Sequence, residues 1–185
     1  IYIENLSINI SSTSGSLYAG SLVGYAYKNL YLKNVNINGS NINITLSGAD
    51  GGYIGGLVGY HELISDHSNH MGLVDVVNSS ISGSGGDWAH VGGVFGKISS
   101  SISTASSPYH EYRSFRVIDT SVNGFSAGGL AAQLYKDDDS SLSFENVLVK
   151  SGVGHSIAAS SDHSGGVFAN VGNIELRKIQ IGSIS

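Results

Sequence analysis

A chain of 185 residues in which 41% are apolar and only 12% charged can bury a core, so serine- and glycine-rich disorder is excluded despite 33 serines and 26 glycines. A net charge of −5 argues against nucleic acid or an anionic membrane as partner. The absence of cysteine rules out disulfides, thiolate metal sites and a cysteine nucleophile, and no apolar run is long enough for a transmembrane helix. We expect residues 1–185 to be one repeat domain, a fragment of a longer protein.

In chain order, the first predicted element is Ile3-Glu4-Asn5-Leu6, apolar at both ends and charged at its second position. A glycine motif follows, Ala19-Gly20-Ser21-Leu22-Val23-Gly24. Leu32-Lys33-Asn34-Val35 repeats the first element, Val35-Asn36-Ile37-Asn38-Gly39 alternates into a turn, and Ile54-Gly55-Gly56-Leu57-Val58-Gly59 repeats the glycine motif. The cycle continues with Val74-Asp75-Val76-Val77, Ser80-Ile81-Ser82-Gly83 and Val91-Gly92-Gly93-Val94-Phe95-Gly96. Phe115-Arg116-Val117-Ile118, Ser121-Val122-Asn123-Gly124 and Ala127-Gly128-Gly129-Leu130-Ala131-Ala132 form the next round. Phe144-Glu145-Asn146-Val147, Val149-Lys150-Ser151-Gly152 and Ser164-Gly165-Gly166-Val167-Phe168-Ala169 form the last, before a closing Leu176-Arg177-Lys178-Ile179. The steps between Gly20, Gly55, Gly92, Gly128 and Gly165 are 35, 37, 36 and 37 residues.

A period of this length with three short strands in it predicts an all-β fold: a right-handed parallel β-helix of about five coils. At ~4.8 Å per coil it forms a rod roughly 24 Å long, with unpaired edges at both ends. If each glycine motif is one strand, its second, fourth and sixth positions share a face. Leu22, Leu57, Val94, Leu130 and Val167 then point inward. Around them stand Gly20, Gly24, Gly55, Gly59, Gly92, Gly96, Gly128 and Gly165, with Ala132 and Ala169 at the last two sixth positions. Gly56 falls on the opposite face, and the glycines imply close approach of another backbone. In the charged element, apolar positions three apart require a bulge at the third position, where Asn tolerates left-handed geometry. Its charged column, Glu4, Lys33, Asp75, Arg116, Glu145 and Arg177, alternates in sign at every step. Stacked in register, these side chains would form an ion-pair ladder worth ~0.2–1 kcal/mol per neighbour pair.

The core Gly56-Leu57-Val58-Gly59 resembles the GLUG motif of bacterial surface proteins, and the resemblance covers five repeats, most of the chain. The third and fifth copies use Val94 and Val167, and the last two end in alanine. The resemblance implies a secreted or cell-surface β-helix, as in adhesin-like passengers and the N-terminal regions of some IgA-specific metallopeptidases. Their zinc motif His-Glu-x-x-His is absent here.

Four polar stretches invite chemistry. His61, Glu62, Asp66, His67 and His70 lie within ten residues and could ligate zinc or nickel; the competing reading is a polar loop. Asp162-His163-Ser164 contains triad residue types, but triads are assembled across a fold rather than side by side. Asp137, Asp138 and Asp139 could bind calcium, yet they lack the alternate spacing of a calcium loop. Residues 99–113 form the longest insertion, where function would sit on a rigid scaffold. Tyr18, Tyr25, Tyr27, Tyr31, Tyr53 and Tyr60 could stack on sugars or cover the outer wall, and we favour covering. We expect no catalytic residue, metal or cofactor within the segment. The function this reading favours is display or adhesion by a stalk-like segment of an exported bacterial surface protein. Its partners would be a host glycan or protein receptor and neighbouring coils of the same chain. A carbohydrate-binding or polysaccharide-degrading β-helix is the first alternative, and a non-catalytic spacer of a secreted peptidase the second.

Overall fold

The computed structural model describes residues 1–28, 30–47, 50–63, 70–100, 109–136, 141–160, 162–172 and 175–183. Among them all regular structure is strand, and every strand pairing is parallel. The first coil comprises β1 (Tyr2–Glu4), β2 (Ser7–Ser12), β3 (Ser16–Gly20) and β4 (Val23–Tyr27). The second comprises β5 (Leu32–Asn38), β6 (Asn41–Leu46), β7 (Gly51–Gly55) and β8 (Val58–Leu63). The third holds β9 (His70–Val77), β10 (Ser80–Gly85), β11 (Ala89–Gly92) and β12 (Phe95–Ser100). The fourth holds β13 (Tyr109–Ile118), β14 (Ser121–Gly124), β15 (Ser126–Gly128) and β16 (Ala131–Lys136). The fifth holds β17 (Ser141–Ser151), β18 (Ile157–Ala159), β19 (Ser164–Gly165) and β20 (Phe168–Val171), and β21 (Glu175–Ser183) closes the stack.

Equivalent strands of successive coils form four sheets. The first is six-stranded, β1-β5-β9-β13-β17-β21, and the second, third and fourth each have five strands. The architecture is therefore a parallel β-solenoid, with four strands per coil instead of the expected three. The extra strand comes from the glycine motif, which is a corner rather than one strand. β7 ends at Gly55, β8 begins at Val58, and Gly56-Leu57 is the bend between them; the other four copies break at the same place.

Because alternation does not run through a bend, the expected facing of the glycines is overturned. A Cβ on Gly56 would press on Ile81 Cδ1 at 2.9 Å, and one on Gly93 on Val117 Cγ1 at 2.9 Å, so the third position looks into the core. A Cβ on Gly55 would overlap the Val58 carbonyl, and one on Gly59 would lie 2.5 Å from Ala19 N and 2.6 Å from Gly24 O. Gly55 and Gly59 thus line the other side of the corner, where the backbones of the third and fourth sheets face each other. Close approach does explain these glycines, but the approaching wall is the motif's own neighbouring strand. Leu57, Val94 and Leu130 are fully buried at the bend, Val167 is 5% exposed, and Leu22 in the first coil is 37% exposed.

The first sheet carries the bulge. Asn34, Leu73, Ser114, Asn146 and Lys178 stand in one column, all left-handed with φ between 51° and 59°. The bulge lets the residues flanking it both turn inward, so Met71 and Val74, Tyr112 and Phe115, and Phe144 and Val147 are all buried. A second left-handed column, Asn5, Gly39, Asn78 and Asp119, turns the chain from the first sheet into the second. Just after it, Ser40, Ser79 and Thr120 are buried, and the Ser40 amide donates to Ser79 Oγ at 3.2 Å. The Ser79 amide donates in turn to Thr120 Oγ1 at 3.4 Å, so hydroxyls satisfy buried backbone at the corner.

The core is aliphatic at the second sheet (Ile42, Ile44, Ile81, Val122) and aromatic between the first and fourth. There Tyr112 stacks on Phe144 at 4.9 Å and meets Phe95 edge-on at 5.7 Å. His61 is fully buried in the same layer. The Lys28 carbonyl can only accept, so His61 Nε2 carries the hydrogen of their 3.0 Å contact. His61 Nδ1 then accepts from the Tyr112 hydroxyl at 3.1 Å.

Candidate functional site

The solenoid displays two side-chain arrays on its outer walls. The first follows the glycine corner. Tyr18, Tyr53, His90 and Ser126 are in register on the third sheet, and Tyr25, Tyr60, Lys97 and Gln133 on the fourth. Across the corner Tyr18 meets Tyr25 at 5.4 Å and Tyr53 meets Tyr60 at 5.3 Å. Along the stack Tyr18 and Tyr53 are nearly coplanar in tilt, 3° apart at 6.0 Å, so their faces are turned toward each other. Trp88 lies 4.7 Å from Tyr53, and Lys97 Nζ stands 4.8 Å from the Tyr53 ring and 5.3 Å from Tyr60. The rings thus use their faces on one another and on an internal cation. Tyr25 donates to Glu62, which pushes its own pKa up, and burial raises that of Tyr53. Tyr18, Tyr25, Tyr27 and Tyr31 remain exposed, while Tyr53 and Tyr60 are partly buried.

The second array runs along the first sheet. One row is the bulge column Asn34, Leu73, Ser114, Asn146 and Lys178; the other, two residues on, is Asn36, Asp75, Arg116, Leu148 and Gln180. Between them lies a groove of about 790 Å³ that crosses five strands. Arg116 clamps Asp75 through two bonds, Nε to Oδ1 at 2.7 Å and a terminal nitrogen to Oδ2 at 2.6 Å. Lys178 Nζ donates to Glu145 Oε1 at 2.9 Å, and Arg113 Nε stands 3.4 Å from Glu145 Oε2. Those cations, Lys178 foremost, hold the Glu145 carboxyl below its ordinary pKa. A smaller hollow of about 320 Å³ beside it is lined by Lys33, His70, Glu111 and Arg113 among others.

These registers correct the six-member charge ladder. Asp75 does lie beside Arg116, and Glu145 beside Arg177. Glu4, however, is opposite Asn38, and Lys33 is opposite Gly72 rather than Asp75. Arg116 is opposite Leu148, and the residue that faces Glu145 from the fourth coil is Arg113. Similar tetrapeptides on either side of the bulge are three residues out of phase: the bulge lies within Leu32-Lys33-Asn34-Val35 but before Val74-Asp75-Val76-Val77. The groove rows escaped the sequence reading for the same reason. Their residue types vary from coil to coil, so the rows become visible only once coils are aligned on the bulge.

The other sequence candidates separate in space. His61 points into the core while Glu62 faces outward to Tyr25, since adjacent residues of β8 take opposite sides. His70 is an exposed residue 3.5 Å from Glu111. Asp66 and His67 lie outside the described residues, as do Asp137, Asp138 and Asp139 and most of the 99–113 insertion. No group of three potential metal-ligating side chains gathers among the described residues. Ser126 Oγ donates to Asp162 Oδ2 at 2.6 Å, and His163 Nδ1 contacts the other Asp162 oxygen. The carboxylate stands between serine and imidazole, which is the wrong order for activating the hydroxyl.

No family model matches the chain, and neither the curated proteins nor the solved structures contain a match to it.

Proposed function

We propose that this chain is a display segment of an exported bacterial surface protein, an adhesin-like or stalk-forming β-solenoid. The observation that carries the reading is the unbroken register of all four sheets through successive coils, which makes a rigid body with continuous outward rows. The repeat resemblance to GLUG proteins supports an extracellular or cell-surface location. Asp75 is paired with Arg116, and Glu145 with Lys178 and Arg113, which favours a binding or display role over acid–base chemistry at the groove. The test is location: antibody raised against this chain should label intact cells that express the parent protein, and external protease should remove the label. Antigen found only after lysis would refute the proposal.

A further inference from the structure

The groove on the first sheet has the chemistry of a binding site for a linear, uncharged polymer. Its long axis runs along the stack, across β5, β9, β13, β17 and β21, so it suits an extended chain rather than a compact ligand. Each wall carries two amides: Asn34 and Asn146 on one side, Asn36 and Gln180 on the other. Each carboxamide offers donors and an acceptor, the complement of a hydroxyl group, which also does both. Leu73, 48% exposed, and Leu148 interrupt the amides with apolar surface, as needed by the C–H faces of a sugar ring. The charges that line the groove already have partners: Asp75 is held bidentately by Arg116, and Lys178 is drawn to Glu145 just outside the lining. A polyanion or polycation would therefore have to break an existing pair, whereas a neutral chain would not. One acceptor is already desolvated and unused: Asn36 Oδ1 is buried without a hydrogen-bond partner. An extended peptide would seek a free strand edge, but β5, β9, β13 and β17, four of the five strands under the groove, are paired on both sides.

We infer that this groove, between the Asn34–Lys178 and Asn36–Gln180 rows, binds a neutral glycan chain. The inference deepens the display reading by naming a ligand class, but it concerns the isolated chain and does not depend on cellular location. Titration calorimetry with neutral hexasaccharides of glucose, xylose and N-acetylglucosamine, alongside a galacturonic acid hexasaccharide, tests it on the full chain. At least one neutral probe should bind, and an Asn36→Ala/Gln180→Ala double variant should bind it at least tenfold more weakly. A Tyr18→Ala variant should bind as wild type, with melting temperatures confirming that all three proteins are folded. Side-chain amide resonances of Asn34, Asn36 and Asn146 should shift on titration, a readout that a purely structural role would not move. The inference is overturned if none of the neutral probes binds, if only the acidic probe binds, or if binding survives the double variant. Surface labelling with a silent groove would leave the display proposal standing and remove this one.

Discussion

Acidification should unlock the core through His61. Burial lowers its pKa from 6.5 to about 4, and the nearby His110 imidazole adds to the effect. In the unfolded chain the ring takes a proton as pH falls through its ordinary value of about 6.5. In the folded chain it resists until about 4, because Nε2 already donates to the Lys28 carbonyl and a proton on Nδ1 would displace the Tyr112 hydroxyl it accepts from. Between those limits the unfolded state binds more protons, so stability falls as pH drops, and this group contributes no slope above or below the window. Lowering the pKa from 6.5 to about 4 corresponds to ~3 kcal/mol of stability lost on acidification. Urea unfolding at several pH values between about 7 and 4, for wild type and His61→Gln, isolates the contribution. His90, whose pKa burial also lowers to about 4, slopes in the same direction in both proteins and cancels in the difference. If the two stability curves run parallel through the window, His61 is not the buried neutral base described here.

At the glycine corner, Gly59→Ala should destabilise by ~1–3 kcal/mol, because its Cβ would lie within 2.8 Å of three backbone atoms that cannot rotate away. Gly24→Ala, opposed at that distance by the Tyr18 carbonyl alone, should cost less; equal melting temperatures would refute the corner geometry. Leu73→Asn should raise stability by ~1 kcal/mol, since it places a residue tolerant of φ 56° in a column that already holds Asn34 and Asn146. A lower melting temperature would mean that Leu73 contributes more by its contacts than it costs in backbone strain. Arg116→Glu, which sets one carboxylate beside Asp75, should cost ~1 kcal/mol, whereas Arg113→Glu, set beside both Glu111 and Glu145, should cost more, and both losses should shrink in high salt. The opposite ranking would restore the charge column expected from sequence. Phe115→Ala, a fully buried truncation, should cost ~3–5 kcal/mol by denaturant titration.

What the sequence conveyed was period. Gly20, Gly55, Gly92, Gly128 and Gly165 do stand in one column, and that spacing alone identifies a stacked parallel coil. What it hid was phase. Gly55 and Gly56 are identical letters whose missing Cβ atoms point to opposite sides, and the position of the bend between β7 and β8 cannot be read from two adjacent glycines. The bulge residue is Asn in two coils but Leu73, Ser114 and Lys178 in the others, so the left-handed column has no consistent residue signature. Aligning Asp75 with Lys33 was the natural result, and it concealed the groove. His61 shows the same limit at another scale: a histidine beside a glutamate reads as surface chemistry until the strand puts one of them in the core.

The stacking also determines how the molecule would bear load. Between coils, parallel ladder bonds run roughly along the rod, and β21 is held to the rest of the first sheet through β17 alone. Tension applied along the rod would therefore meet those bonds strand by strand, as in opening a zipper, rather than all at once in shear. Once tension starts this peeling, coils would come off the end of the rigid body one at a time, each releasing a fixed length of chain, and would re-form by laying each coil back on a preserved template. An extended surface protein built this way would behave as an extensible tether, with its sawtooth force spacing set by the 35–37 residue repeat.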